Sequence, residues 1–224
     1  MPNDRLNALR AAVLGANDGI VSVAGIVVGV AGATTSKTII LTAGLAGLVA
    51  GALSMAAGEY VSVSSQRDTE KSILAKEKAE LRDFPVEELA ELEGLYQAKG
   101  LTKATAQRVA KELTAHDAFA AHAEAELKID PHNLNNPWEA AIASALSFLV
   151  GAIIPLITIM VAPVNLNVAI TFASVLIALT LTGYVSAKFG DANKVRATIR
   201  VVIGGAIAMG ATYGIGLMVG IHGI

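Results

Sequence analysis

The chain has 224 residues, 54% of them hydrophobic and only 16% charged, with a formal net charge of −2 and no cysteine. So apolar a composition departs from that of an average water-soluble domain, and the charge balance gives no reason to expect nucleic acid as a partner. Without cysteine there are no disulfides, thiolate zinc sites or redox thiols, so any metal must be held by carboxylate, imidazole, thioether or backbone oxygen.

Residues 1–10 are polar and carry Arg5 and Arg10. Residues 11–33 form an apolar run long enough to cross a bilayer, which takes about 20 residues. Ala31-Gly32-Ala33 looks like a signal-peptide cleavage site, but the run before it is too long for such a peptide and contains Asp18. A short loop leads to a second span, 39–61, which continues past Gly58 with neither Gly nor Pro into a helix rich in charge. One helix is thus expected to start in lipid and finish in water. Gly47 and Gly51, like Gly210 and Gly214 later, have the small-xxx-small spacing that lets helices approach closely in lipid.

Charge is concentrated in residues 61–137, which hold 10 Lys/Arg and 14 Asp/Glu against 7 and 5 in the rest of the chain. This block reads as a small helical domain. Its first helix stops at Asp83-Phe84-Pro85. A second runs over 86–98, with Glu87 and Glu88 in its first turn and Gly100 just beyond its end. Thr102 caps a third helix and Asp117 a fourth. Asp130 to Pro137 is turn chemistry returning the chain to the membrane. Spans follow at 140–161, with Pro155 inside, at 166–187 and at 199–218. The architecture expected is an all-α membrane protein with five transmembrane helices and a cytoplasmic helical metal-binding domain inserted between spans 2 and 3. The parts are 1–62, 63–137 and 138–224. Arg5, Arg10, Arg67, Lys71, Lys188, Lys194, Arg196 and Arg200 fall on one side of the membrane and Lys37 on the other, so the N-terminus and helical domain are expected in the cytoplasm and the C-terminus outside or in a lumen.

Three sets of residues carry the chemistry. Asp18, inside the first span, costs about 2.5–3.5 kcal/mol at a helix centre unless it faces a cavity, partner or ion. Met55 and Glu59 lie one turn apart on one face of the second span. With Asp18 they make a path of soft and hard ligands for a divalent transition ion, and carboxylates also bind protons. In the middle block Glu77/Glu80, Glu88/Glu91 and His122/Glu126 are each spaced to share a helix face, and helical bundles build iron and manganese sites from such groups. Singly, each pair reads equally as a solvated helix face. His116 and His132 read as surface residues.

Asn17-Asp18-Gly19-Ile20-Val21-Ser22 and Ser54-Met55-Ala56-Ala57-Gly58-Glu59-Tyr60-Val61-Ser62 resemble the signatures of the vacuolar iron transporter family. The Glu126-Leu127 segment and the stretch from Ser147-Phe148 to Ile154-Pro155 are similar to it as well. The resemblance implies a homodimer with five spans per subunit that exports Fe²⁺, and often Mn²⁺, from the cytosol in exchange for protons. It implies that Asp18, Met55 and Glu59 line the path at the dimer interface, and that Glu77, Glu80, Glu88, Glu91 and Glu126 bind metal in the cytoplasmic domain. His122 stands where some members carry Met. The partners implied are the bilayer, protons and the metal ion, with Zn²⁺ or Co²⁺ as surrogates and no other cofactor. The membrane would be the plasma membrane in a bacterium and the vacuolar one in a eukaryote.

The sequence thus points to a transporter rather than an enzyme. The alternative is a membrane-anchored, carboxylate-rich protein that binds, oxidises or senses iron. A catalytic ferritin-like bundle would show Glu-x-x-His on two helices, and this chain has none. A pure anchor has no use for Asp18 or Glu59.

Overall fold

The computed structural model describes the backbone of residues 3–222 and the side chains of residues 12–220; Arg5 and Arg10 lie outside the described side chains. Every regular element among the described residues is helical: α1 (Asn3–Ala33), α2 (Lys37–Asp83), α3 (Pro85–Ala98), α4 (Lys103–His122), a π-turn (Ala123–Leu127), α5 (Pro137–Val161), α6 (Asn167–Phe189) and α7 (Lys194–His222). Five of them are long and apolar enough to cross a membrane: α1, α2, α5, α6 and α7. The chain divides into two compact units, one of Met1–Val61 with Pro137–Ile224 and one of Ser62–Asn136, so that the first boundary falls inside α2.

In the first unit α1 is the central helix. Its Val23, Val27 and Val28 pack with Ile40 and Ala52 of α2 and with Phe148, Ala152, Leu156 and Ile159 of α5. Ile20 and Ala24, on another side of α1, meet Val175, Ala178 and Leu179 of α6 and Met209 of α7. These approaches need glycine. A Cβ at Gly19 would run into the carbonyl of Phe148, one at Gly151 into that of Ala16, and one at Gly216 into that of Gly29.

The two glycine pairs picked out by spacing behave differently. Gly47 and Gly51 receive side chains rather than a backbone: Ile26 of α1 sits over one and the Phe148 ring of α5 over the other. Gly210 and Gly214 face open space among the described residues, and it is Gly216 and Gly220 that meet α1. Within one chain the Gly210/Gly214 pair thus packs against no other helix among the described residues, because spacing finds small residues but not the side of the helix its neighbours occupy. Gly19→Val should destabilise the protein by about 1–3 kcal/mol or more, because the obstacle is backbone that cannot swing away. Gly210→Val should be near neutral. The fraction recovered monodisperse after graded heating in detergent checks both.

At one end of the unit, Lys37 donates a 2.8 Å hydrogen bond to the carbonyl of Met160, in the last turn of α5. The cation thereby satisfies a terminal carbonyl where the helix dipole favours positive charge. At the other end of α2's apolar stretch, the rings of Tyr60 and Trp138 meet with centroids 4.7 Å apart and planes 52° apart. Amphipathic rings of this kind gather at membrane–water boundaries. Lys37 to Tyr60 spans about 36 Å of helix, enough for a hydrocarbon core of about 30 Å.

In the second unit Leu92, Ala110, Ala121 and Ala125 form a small core, with Leu89, Leu95, Tyr96 and Leu113 against it. Thr102 caps α4 by accepting from the amide of Thr105 at 3.4 Å. Asp117 interrupts α4 with extended backbone (φ −159°, ψ 94°) and its carboxylate accepts from the amide of Ala120 at 2.9 Å. The two helices expected either side of Asp117 are present, joined by that kink.

Candidate functional site

Two groups of polar side chains stand out, one in each unit. In the first unit, Leu14, Asn17, Asp18 and Val21 of α1 and Met55 of α2 line an open recess of about 440 Å³. Asp18 is half-buried. Its Oδ1 accepts a 2.7 Å hydrogen bond from the hydroxyl of Ser22, one turn along the same helix. Asn17 is engaged separately: its Oδ1 accepts from Thr182 of α6 at 2.5 Å. Asn17 is thus tied to α6, and Asp18 lines the same recess as the thioether-bearing Met55.

Glu59 is half-buried, next to Tyr60, and is not among the residues that line the recess. Met55 precedes Tyr60 by five residues, so it lies about 7.5 Å back along α2 from the aromatic pair. Along α2, Glu59 therefore stands beside the aromatic pair, and Met55, with the recess it shares with Asp18, stands about one turn away from it.

In the second unit the three pairs expected from helix spacing each send a residue to one place. Nδ1 of His122 lies 3.1 Å from Glu77 Oε1, 3.5 Å from Glu88 Oε2 and 4.0 Å from Glu126 Oε2. Glu77, Glu88 and His122 offer ligand atoms all within 4.8 Å of one another. His122 is fully buried and Glu77 is 4% exposed. The 3.1 Å approach is not a hydrogen bond. Glu77 Oε1 and both ring nitrogens of His122 are buried with no hydrogen-bond partner. Buried polar atoms in this condition call for an explanation, and a missing ion is one. A divalent cation at 2.0–2.2 Å from carboxylate oxygen and imidazole nitrogen bridges donors spaced as these are.

The electrostatics match. Burial first, then the carboxylates of Glu126, Glu88, Glu80 and Glu91, push the carboxyl of Glu77 up to about 7. Glu88 is raised as well, by burial and then by Glu91, with His122 acting the other way. Packed like charges resist ionisation, and a bound cation removes the reason.

Glu80 and Glu91 are not in the close group. Glu80 forms a 3.0 Å ion pair with Lys76, and Glu91 is exposed. Their carboxylates act on Glu77 at longer range. The local backbone explains why His122 and Glu126 stand together at the edge of the site. His122 ends α4 and the π-turn Ala123–Leu127 follows, closed by Lys128 in the left-handed region at φ 56°. Such wide turns recur at functional sites. His116 and His132 are exposed, as expected. Sequence reasoning misses Thr182 altogether, and it misses the contacts of two residues it names, Ser22 with Asp18 and Lys37 with the Met160 carbonyl. Ser22 was within reach, four residues from Asp18 on the same face, whereas nothing local connects Thr182 to Asn17.

The family model described as VIT family matches residues 9–217. A vacuolar iron transporter of Acanthamoeba castellanii is 46% identical over 212 residues, 94% of this chain and 78% of that protein. Vacuolar iron transporter homolog 4 of Arabidopsis thaliana is 37% identical over 221 residues, covering 98% of this chain and 88% of its own length. Vacuolar iron transporter homolog 1 of Oryza sativa subsp. japonica is 38% identical, covering 98% and 77%. A family match over residues 9–217, with relatives 37–46% identical over nearly the whole chain, establishes that this chain belongs to the VIT family of integral membrane proteins.

Proposed function

We propose that the protein carries Fe²⁺, and Mn²⁺ as an alternative cargo, out of the cytosol in exchange for protons. The observation that carries this reading is the recess that Asp18 shares with Met55. An acid inside an apolar span, held by a serine hydroxyl and set beside a thioether, is an ion position rather than a packing element. Glu59 stands nearer the aqueous end and receives the ion first. The names of the relatives, iron transporters, agree with this assignment.

The Glu77–Glu88–His122–Glu126 group concentrates metal on the side from which it is taken. That side is the cytoplasm, because Lys188, Lys194, Arg196 and Arg200 collect at the corresponding span ends. Its ligand set, oxygen with one imidazole, suits Fe²⁺ or Mn²⁺ over Cu⁺. Glu80 and Glu91 form an outer ring of charge that draws cations in. The working form is a homodimer. Half-buried Asp18 and Met55 line an open recess, and Leu45, Val49 and Leu53 leave a stripe of α2 uncovered that a second copy can close.

Storage or sensing of iron by an anchored domain would account for the soluble group but leaves the Asp18 recess without a task. Sealed proteoliposomes with an acidic interior test the proposal. Fe²⁺ should accumulate faster than with no pH gradient, and equal rates would remove proton exchange from the account. Single-cysteine crosslinking on α1 and α2 tests the dimer against a chain free of background cysteine. Positions flanking Asp18 should link between subunits in native membranes.

A further inference from the structure

We propose that a second recess, between α1, α5 and α6, seats one acyl chain of an anionic phospholipid whose phosphate is held by Lys188. The recess has a volume of about 420 Å³ and is walled by apolar side chains including Ala16, Val150, Leu181 and Val185. That volume is in the range of small-molecule sites, about 300–1,000 Å³. Its two hydroxyls, Ser147 and Thr182, have no proton left to donate to a guest. Ser147 donates to the carbonyl of Ala143 at 2.8 Å, and Thr182 donates to Asn17. Hydrocarbon suits such predominantly apolar walls, and in a bilayer the hydrocarbon at hand is a lipid chain.

The charge above the recess selects the headgroup. Leu181, Val185 and Lys188 recur at helical spacing on α6, so Lys188 stands on the recess face about 4.5 Å beyond Val185. Lys188 is exposed and has no ion pair among the described residues. Lys194 is engaged elsewhere, its Nζ 5.7 Å from the centroid of the Tyr184 ring. Basic side chains at the membrane surface attract anionic headgroups, at about 1 kcal/mol each. The seat is separate from the ion recess but shares a wall with it, through the Asn17–Thr182 bond.

Native mass spectrometry of the full chain released from nanodiscs of equal phosphatidylglycerol and phosphatidylcholine tests this. The wild type should retain one lipid per chain, with phosphatidylglycerol favoured about fivefold, the equivalent of about 1 kcal/mol for one lysine. Val150→Phe, at an exposed wall position, should abolish the retained lipid, and Val185→Trp should do the same should the first variant fold poorly. Lys188→Gln should keep the lipid and lose the preference. Millimolar inorganic phosphate should not displace the lipid. No retained lipid, equal retention of the two lipids by the wild type, or full retention by folded Val150→Phe and Val185→Trp would overturn the proposal.

Discussion

His122→Ala should lower the affinity of the full-length protein for Mn²⁺ or Co²⁺ by at least about tenfold, since even outer-shell losses at metal sites cost about 10–100-fold. The protein should remain folded, because the ring's buried nitrogens make no hydrogen bond that alanine would break. Glu77→Gln separates the site's two energies. It should weaken metal binding by a similar factor and at the same time stabilise the metal-free protein above neutral pH. The sign follows from the carboxyl, which is raised from 4.5 to about 7. Between those values the folded state holds a proton that the unfolded chain has released. The stability due to this group is complete below about pH 4.5 and is lost as pH rises to about 7. The loss is on the order of 3 kcal/mol for a shift of this size. A neutral amide does not suffer it. Metal affinity moves the other way, falling as pH drops below 7, because the proton and the ion compete for one carboxylate. Calorimetric titration at pH 6 and 8, with melting of the metal-free protein at the same two values, checks both. A Glu77→Gln variant that binds metal normally would return these residues to the role of an ordinary buried network.

Asp18→Asn should leave a folded protein that no longer moves metal or protons. The side chain accepts a hydrogen bond from the hydroxyl of Ser22, and an amide oxygen can accept that bond too. What asparagine cannot supply is the negative charge that holds a divalent ion and exchanges it for protons. Loss of flux should be at least about 100-fold, beyond what roughly 1 kcal/mol of hydrogen-bond change could produce. Met55→Leu keeps the volume and removes the sulfur, so transport should fall in part or shift towards harder ions. Glu59→Gln should resemble Asp18→Asn.

The spans were legible because lipid imposes one rule along their whole length: about 20 apolar residues per crossing and no unpaired backbone. The boundaries seen, such as Asn167–Phe189 and Pro137–Val161, lie within a few residues of those expected, and Lys194–His222 begins earlier because its first turn is basic and outside the hydropathy signal. Asp117 was legible as a cap because the signal is local. Helix spacing also proposed the three carboxylate and histidine pairs. It did not say which member of each pair turns inward, since both share one face and only the packing of α2, α3 and α4 decides between Glu77 and Glu80 or Glu88 and Glu91. The contacts that define the ion recess were the least legible. Thr182 reaches Asn17 across 165 positions, and Gly216 rather than Gly210 meets α1, because helix rotation in a bundle leaves no mark in spacing alone.

If Asp18 is an ion-carrying charge, removing that charge should stop metal and proton movement together. Wild-type and Asp18→Asn proteins, matched for size-exclusion profile, are reconstituted into sealed vesicles with a metal-sensitive dye inside and a pH indicator in the same lumen. On addition of Fe²⁺ outside, the wild type should give a metal signal and an alkaline shift that rise together, and the variant should give neither. Undiminished flux of metal and protons through a well-folded Asp18→Asn protein would contradict the account.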